Sequence, residues 1–269
     1  QRNNKTMDFQ RVKGMEDYLN KVKIERILSW SKEYDEAKLT EMITRRIRIE
    51  KIAIKDVKMR TFITEDSGRN EMVQHVYDIT YGTVRPHQDT LVVIDDSIVR
   101  GTTLKESIIR MLARLKPKRI IVVSSSPQIR YPDCYGIDMS RMSEFIAFNA
   151  AVVLMKERGM EDCLKKMFER CKDLQRNNQL HTENIVKQVY KPFTAEEISA
   201  KIAQLITPAG LDIPVDVIFQ SIEDLHKACP NNLGDWYFTG NYPTPGGNKV
   251  VNKAFINYME GKNDRSYEF

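Results

Sequence analysis

A chain of 269 residues, 41% apolar and 29% charged, has an ordinary globular composition, with room for one large domain or a domain plus an extension. Its formal net charge of +5 is mild; it suits a phosphorylated small substrate as well as nucleic acid and decides for neither. No apolar stretch is long enough to span a bilayer and no signal peptide is recognisable, so a cytoplasmic protein without a membrane partner is expected.

The first thirty residues are polar and mixed, with a helix expected from Gly14 to Leu28. A second helix is expected from Asp35 to Ile49, ending in the basic Arg45, Arg46 and Arg48. Ile52 and Ile54 alternate with Lys51 and Lys55, the pattern of an edge strand or extended linker. Residues 64–69 read as a polar loop and 70–77 as a helix. Leu91 to Ile94 is too apolar for a half-exposed strand, which predicts a central place in a parallel sheet. Thr103 to Lys116 carries Leu104, Ile108, Ile109, Met111, Leu112 and Leu115 on a helical face. Thr103 with Glu106 forms a capping-box pair at its start and Pro117 ends it. Arg119 to Val123 is the next buried strand, completing a β-α-β unit and predicting an α/β fold.

Beyond that unit, residues 124–138 form a polar, turn-rich loop. Arg141–Met155 and Glu161–Leu174 read as helices, with Phe145–Met155 a core helix. Thr194 caps a helix through Ile206, with Glu197 three residues on. Val215–Phe219 is a strand and Ile222–Lys227 a short helix. The tail, with Y-P-T-P-G-G at 242–247, reads as loop. Cys134, Cys163, Cys171 and Cys229 are scattered, which fits a reducing compartment and offers no zinc or iron–sulfur spacing. His75, His87, His181 and His226 have no partner at useful spacing.

The chemistry concentrates at 92–103, V-V-I-D-D-S-I-V-R-G-T-T. Neighbouring side chains of a strand point to opposite faces, so Asp95 and Asp96 converge only where the strand has ended. The carboxyl ends of strands in open α/β sheets are where ligands bind. Just beyond, Arg100-Gly101-Thr102-Thr103 leads into a helix: glycine allows close backbone approach to an anion, and a helix start offers unpaired N–H groups. Acids for hydroxyls or a metal, followed by a loop for a phosphate, describe a sugar-phosphate site. There is no Walker loop.

This stretch resembles the phosphoribosyl pyrophosphate signature of type I phosphoribosyltransferases and, within them, that of the amidophosphoribosyltransferase family. Arg60-Thr61-Phe62-Ile63, the segment S-S-S-P-Q-I-R-Y-P-D-C-Y-G-I-D-M at 124–139, Glu144-Phe145-Ile146-Ala147 and Phe238-Thr239-Gly240-Asn241-Tyr242-Pro243-Thr244 also resemble segments of that family. The likeness is dense over 60–150 and patchy after it. The resemblance implies a type I phosphoribosyltransferase-like fold, a mostly parallel central sheet flanked by helices, with a mainly helical C-terminal extension. It implies a core at 1–155, N-terminally incomplete and lacking the glutaminase domain, and an extension at 156–269 packing on it. It implies transfer of ammonia, drawn from glutamine in the full enzyme, to C1 of phosphoribosyl pyrophosphate, giving 5-phosphoribosylamine for purine synthesis. Asp95 and Asp96 are then the catalytic pair, holding the ribose hydroxyls and Mg2+. Ser97, Ile98, Val99, Arg100, Gly101, Thr102 and Thr103 wrap the 5′-phosphate. Purine nucleotides as feedback ligands and a homo-oligomer are implied as well, with no nucleic acid or membrane partner.

Three features depart from the family pattern. The first residue is Gln1 and the first cysteine Cys134, where the family's glutaminase begins with a nucleophilic cysteine. No pyrophosphate loop of the P-x-P-[DE]-[ST]-G kind precedes Leu91. Gly234 and Tyr237 stand where iron–sulfur members carry a C-x-x-C, so no iron–sulfur cluster is expected. The roles of Lys55, Tyr131, Tyr135 and Asp138 stay open at this level. Two rivals keep the fold: a phosphoribosyl-pyrophosphate-sensing regulator, for which the first ninety residues offer no DNA-reading element, and a base-salvage transferase, which leaves Y-G-I-D-M and F-T-G-N-Y-P-T unexplained.

Overall fold

A computed structural model of the chain describes residues 2–30, 35–49, 53–55, 77–79, 82–134, 139–231 and 234–266. The chain divides into two compact units, 1–52 and 53–269. In the first, α1 (Arg2–Ser29) and α2 (Glu36–Thr44) are joined by Lys23, whose ammonium donates to the carbonyls of Ile43 (3.1 Å) and Arg45 (2.7 Å). Those carbonyls lie in or just past the last turn of α2, where a cation meets the negative end of the helix. Asp35 caps α2 by accepting from the N–H groups of Ala37 and Lys38.

The second unit opens with an antiparallel pair, β1 (Ala53–Lys55) and β2 (Tyr77–Ile79). The extended reading around Ile54 holds. The helix expected over 70–77 lies outside the described residues except Tyr77, which begins β2.

The main sheet has three strands in the order β3-β4-β5: β3 (Thr90–Asp95), β4 (Arg119–Ser124) and β5 (Val215–Phe219), all parallel. The expected β-α-β unit is present. Its strand 91–94 is not the central one among the described residues; β4 is, with β3 at the edge. An unbroken apolar run shows that a strand wants cover, but not how many neighbours it pairs with. Both crossovers step in one direction across the sheet, and crossovers of one hand then stack their helices on one face. Burial follows. Leu91, Ile120, Val122 and Val217 lie under helices, whereas Val92 and Ile218 on the other face are 47% and 52% exposed.

After β3, α3 starts as a π-helical stretch, Leu104–Ile109, and continues as α-helix over Arg110–Ala113. A 3-10 turn, Met142–Glu144, precedes α4 (Ile146–Glu157), which is therefore shorter at its start than the sequence suggests. As expected for a core helix, α4 is buried along most of its length, and Phe148 packs edge-on against Phe255 and Tyr258. Next come α5 (Glu161–Arg176), α6 (Lys187–Tyr190) and α7 (Ala195–Ile206). The Thr194–Glu197 capping box opens α7 with both reciprocal bonds made. The last strand, β5, comes from downstream of these helices and completes the sheet begun by β3 and β4.

Then come α8 (Ile222–Ala228), α9 (Trp236–Thr239) and α10 (Pro245–Met259). The last of these corrects the loop reading of the tail. Proline at the first helical position is preset for a helix, and Val250, Val251, Ala254 and Phe255 then form its buried stripe. Buried Asn252 fastens α10: its amide donates to the carbonyls of Leu180 (2.9 Å) and Glu183 (2.7 Å) and accepts from the N–H of Ile185 (3.1 Å).

Candidate functional site

The β3–β4 ladder runs from Thr90 opposite Arg119 to Asp95 opposite Ser124, so Asp95 is the last paired residue and Asp96 the first beyond the strand. Main-chain donors meet both acids. Asp95 Oδ1 accepts from the N–H of Asp96 at 2.9 Å, and Asp96 Oδ1 accepts from the N–H of Ser97 at 2.8 Å. Asp95 is half-buried and Asp96 exposed. The Asp95 carbonyl accepts from both the N–H and the hydroxyl of Ser125, each at 3.0 Å, tying the ends of β3 and β4 together. Ser125 belongs to the 124–139 segment and stands next after β4, the position from which the end of one parallel strand can reach its neighbour.

Beyond the acids the chain turns on a buried anchor, Ile98, which is 3% exposed, so a ligand can meet its main chain but not its side chain. The Val99 carbonyl accepts from the N–H of Ile146 at 2.8 Å. Gly101 has φ 73°, in the left-handed region. A Cβ there would stand 2.9 Å from Ile206 Cγ2 and 3.5 Å from Ile146 Cγ1, so α4 and α7 pack directly under this peptide. Ser97 is half-buried; Thr102 and Thr103 are exposed.

The expected capping box at Thr103 does not form. Thr103 is already helical (φ −61°, ψ −39°) and its side chain makes no capping bond, while Glu106 pairs instead with Arg110 at 3.3 Å. An N-cap hydroxyl needs extended backbone to reach the next turn's N–H groups, and the chain has entered the helix before Thr103. Both threonine hydroxyls therefore stand at the surface of the loop. Arg100 reaches sideways, its Nη2 donating to Glu144 Oε2 at 2.8 Å, and Arg141 Nη1 lies 3.6 Å from Glu144 Oε1.

The stretches 124–139 and 238–244, far apart in sequence, meet in space. The N–H groups of Arg130 (2.8 Å) and Tyr131 (3.1 Å) donate to the carbonyl of Tyr237. The Tyr242 hydroxyl donates to the Pro132 carbonyl at 2.7 Å, and Asn184 holds the Gly240 carbonyl at 3.0 Å. Tyr131 belongs to this packing: it is buried, meets Tyr190 edge-on, and burial pushes its phenol well above the usual range. Burial, with the Asp133 carboxylate second, pushes Tyr237 up to about 12. Tyr135, Asp138 and the Arg60–Ile63 motif lie outside the described residues, and of Lys55 only the strand position is described.

Among the described residues no group of three or more His, Cys, Asp or Glu side chains converges as a metal cage. The acid pair at the end of β3 is a smaller, all-oxygen donor set. It fits a magnesium ion that takes one or two carboxylates and completes its shell with water and substrate phosphates.

No family model matches the chain. It is similar to the amidophosphoribosyltransferase of Haemophilus influenzae, 37% identical over 113 residues, covering 42% of this chain and 22% of that protein. The Staphylococcus epidermidis protein of the same name is 47% identical over 93 residues (33% and 17%), and the Saccharomyces cerevisiae one 29% over 150 residues (54% and 25%). The chain thus spans a quarter or less of the length of these curated relatives. A solved B. subtilis glutamine phosphoribosylpyrophosphate amidotransferase, complexed with ADP and GMP, is 27% identical and covers 72% of this chain and 32% of that one, with a TM-score of 0.39. In sequence, this chain is similar to amidophosphoribosyltransferases.

Proposed function

We propose that the chain is the phosphoribosyltransferase part of an amidophosphoribosyltransferase, joining ammonia to C1 of phosphoribosyl pyrophosphate to give 5-phosphoribosylamine for purine synthesis. One observation carries this reading. At the carboxyl end of a parallel sheet, a carboxylate pair runs directly into a loop with a left-handed glycine and two exposed threonine hydroxyls. The acids suit the ribose 2′ and 3′ hydroxyls, and the loop suits the 5′-phosphate.

Displacement at the anomeric carbon passes through an oxocarbenium-like species, so carboxylates beside the ribose offset its positive charge. Ammonia is already a nucleophile and needs no strong base; positioning supplies most of the rate. Asp95 and Asp96 would hold magnesium, which would supply stabilisation of the negative charge on departing pyrophosphate. The division into a core at 1–155 and an extension at 156–269, delivery of ammonia by a glutaminase domain, purine nucleotides as feedback ligands, a homo-oligomeric assembly and a cytoplasmic location belong to the same proposal. No helix among the described residues is long and apolar enough to cross a membrane.

The test is calorimetric titration of the 269-residue chain with ribose 5-phosphate and, with and without magnesium, with phosphoribosyl pyrophosphate. The reading expects both to bind, the second more tightly with the metal. Failure of both to bind overturns it.

A further inference from the structure

We infer that Glu144 is a positioning residue for the phosphate loop, acting through Arg100; this rests on the proposed function and deepens it. Glu144 comes from the 3-10 turn before α4, and its carboxylate holds the loop's guanidinium at 2.8 Å. It does not act alone. Two residues on, the N–H of Ile146 donates to the Val99 carbonyl at 2.8 Å, and the Ile146 side chain lies under Gly101. Residues 144–146 therefore flank three consecutive loop residues, 99–101, with an ion pair, a main-chain hydrogen bond and an isoleucine side chain beneath the glycine. A loop held before its ligand arrives loses less freedom on binding, and that saving appears as affinity.

The charges make the role separable from simple attraction. Arg100 and Arg141 share the one Glu144 carboxylate, and Arg141 Nε is buried without a hydrogen-bond partner. By charge alone Glu144 opposes an incoming phosphate, so neutralising it should tighten anion binding. As a positioning group it has the opposite sign: neutralising it frees the Arg100 side chain and loosens the loop.

The experiment compares ribose 5-phosphate affinity by calorimetry in the unaltered chain, Glu144→Gln, Arg100→Ala and the double variant, with a thermal melt of each. The expected result is about tenfold weaker binding for Glu144→Gln, a similar loss for Arg100→Ala, and no further loss when Glu144→Gln is added to Arg100→Ala. Glu144→Asp, which keeps the charge, checks the case in which the glutamine variant fails to fold; the shorter carboxylate should also weaken binding. Unchanged or tighter binding by Glu144→Gln overturns the inference, as does an equal loss in both backgrounds or a lowered melting temperature with unchanged affinity. If the unaltered chain binds no ribose 5-phosphate, the same comparison is read with phosphoribosyl pyrophosphate and magnesium; if it binds neither, the proposed function fails and this inference with it.

Discussion

Gly101 and Ile206 stand so close that a single added carbon on the glycine would lie 2.9 Å from the isoleucine Cγ2. The loop peptide thus rests on the end of α7. Gly101→Ala should combine backbone strain at φ 73° with overpacking, lowering stability by roughly 2–4 kcal/mol. Adding Ile206→Val removes a methylene rather than Cγ2 and should recover little, whereas Ile206→Ala removes the clashing methyl but opens a cavity. Neither should restore ribose 5-phosphate binding, because the strain remains. Full recovery of binding in either double variant, read by calorimetry, would show that sterics under the loop were the only fault.

Asp95→Asn with Asp96→Asn should leave the fold intact and abolish the magnesium-dependent part of phosphoribosyl pyrophosphate binding. Asparagine keeps the Oδ1 acceptors that receive the N–H groups of Asp96 and Ser97, while it removes the charge and puts an NH2 donor in place of the second oxygen. The melting temperature should hold steady. Magnesium-dependent affinity that survives in the double variant would place the metal elsewhere.

These two sites were legible in the sequence because the whole unit is local: one strand, one loop and one helix start within a dozen residues. The Thr194–Glu197 box was legible for the same reason. What failed was register. Thr103 and Glu106 have the spacing of a capping box, but the helix begins at Thr102, two residues too early for Thr103 to cap it, and spacing alone cannot report backbone angles. At 242–247 the turn residues mask the stripe of Val250, Val251, Ala254 and Phe255 that follows, and the local pattern reads as loop where α10 forms. The grip of residues 144–146 on 99–101 and of 237–242 on 130–132 joins distant parts of the chain, and nothing local announces it.

Gly247 lies against the Tyr242 side chain so tightly that a Cβ would overlap the tyrosine Cβ, Cγ and Cδ1. Gly247→Ala should push the ring away, break its hydrogen bond to the Pro132 carbonyl and cost about 1–3 kcal/mol. Tyr242→Ala should make the second substitution nearly silent, since the clash and the hydrogen bond are both already gone. Additive losses in thermal or denaturant melts would mean that Gly247 is needed for something other than this contact.

Glu260 accepts from both Lys172 and Lys262 at 2.7 Å, and these hydrogen bonds, with the lysine charges, bring its carboxyl down to about 2. A depressed carboxylate stabilises the fold above its unfolded value, near 4.5, and the contribution fades as pH falls through about 2. Glu260→Gln should therefore lower stability at pH 7 by about 0.5–1 kcal/mol, an ion-pair magnitude for a group that water still reaches. The gap to the unaltered chain should narrow on acidification from pH 5 towards 2. A gap independent of pH would assign the loss to packing.

Thr102→Val and Thr103→Val separate ligand binding from helix stability. Valine keeps the threonine shape, removes the hydroxyl and has nearly the same helix propensity. Thr103 makes no capping bond, and both side chains are exposed, so neither change should disturb α3 or the melting temperature. A phosphate in the loop would use both hydroxyls as donors, and a hydrogen bond to a charged acceptor contributes about 1.5–3 kcal/mol. Each substitution should therefore weaken ribose 5-phosphate binding by at least tenfold, about 1.4 kcal/mol. Ribose without the phosphate serves as the control, and its weak binding should not change. If the melting temperature falls while phosphate affinity stays, the hydroxyls serve the helix and the anion sits elsewhere on the loop.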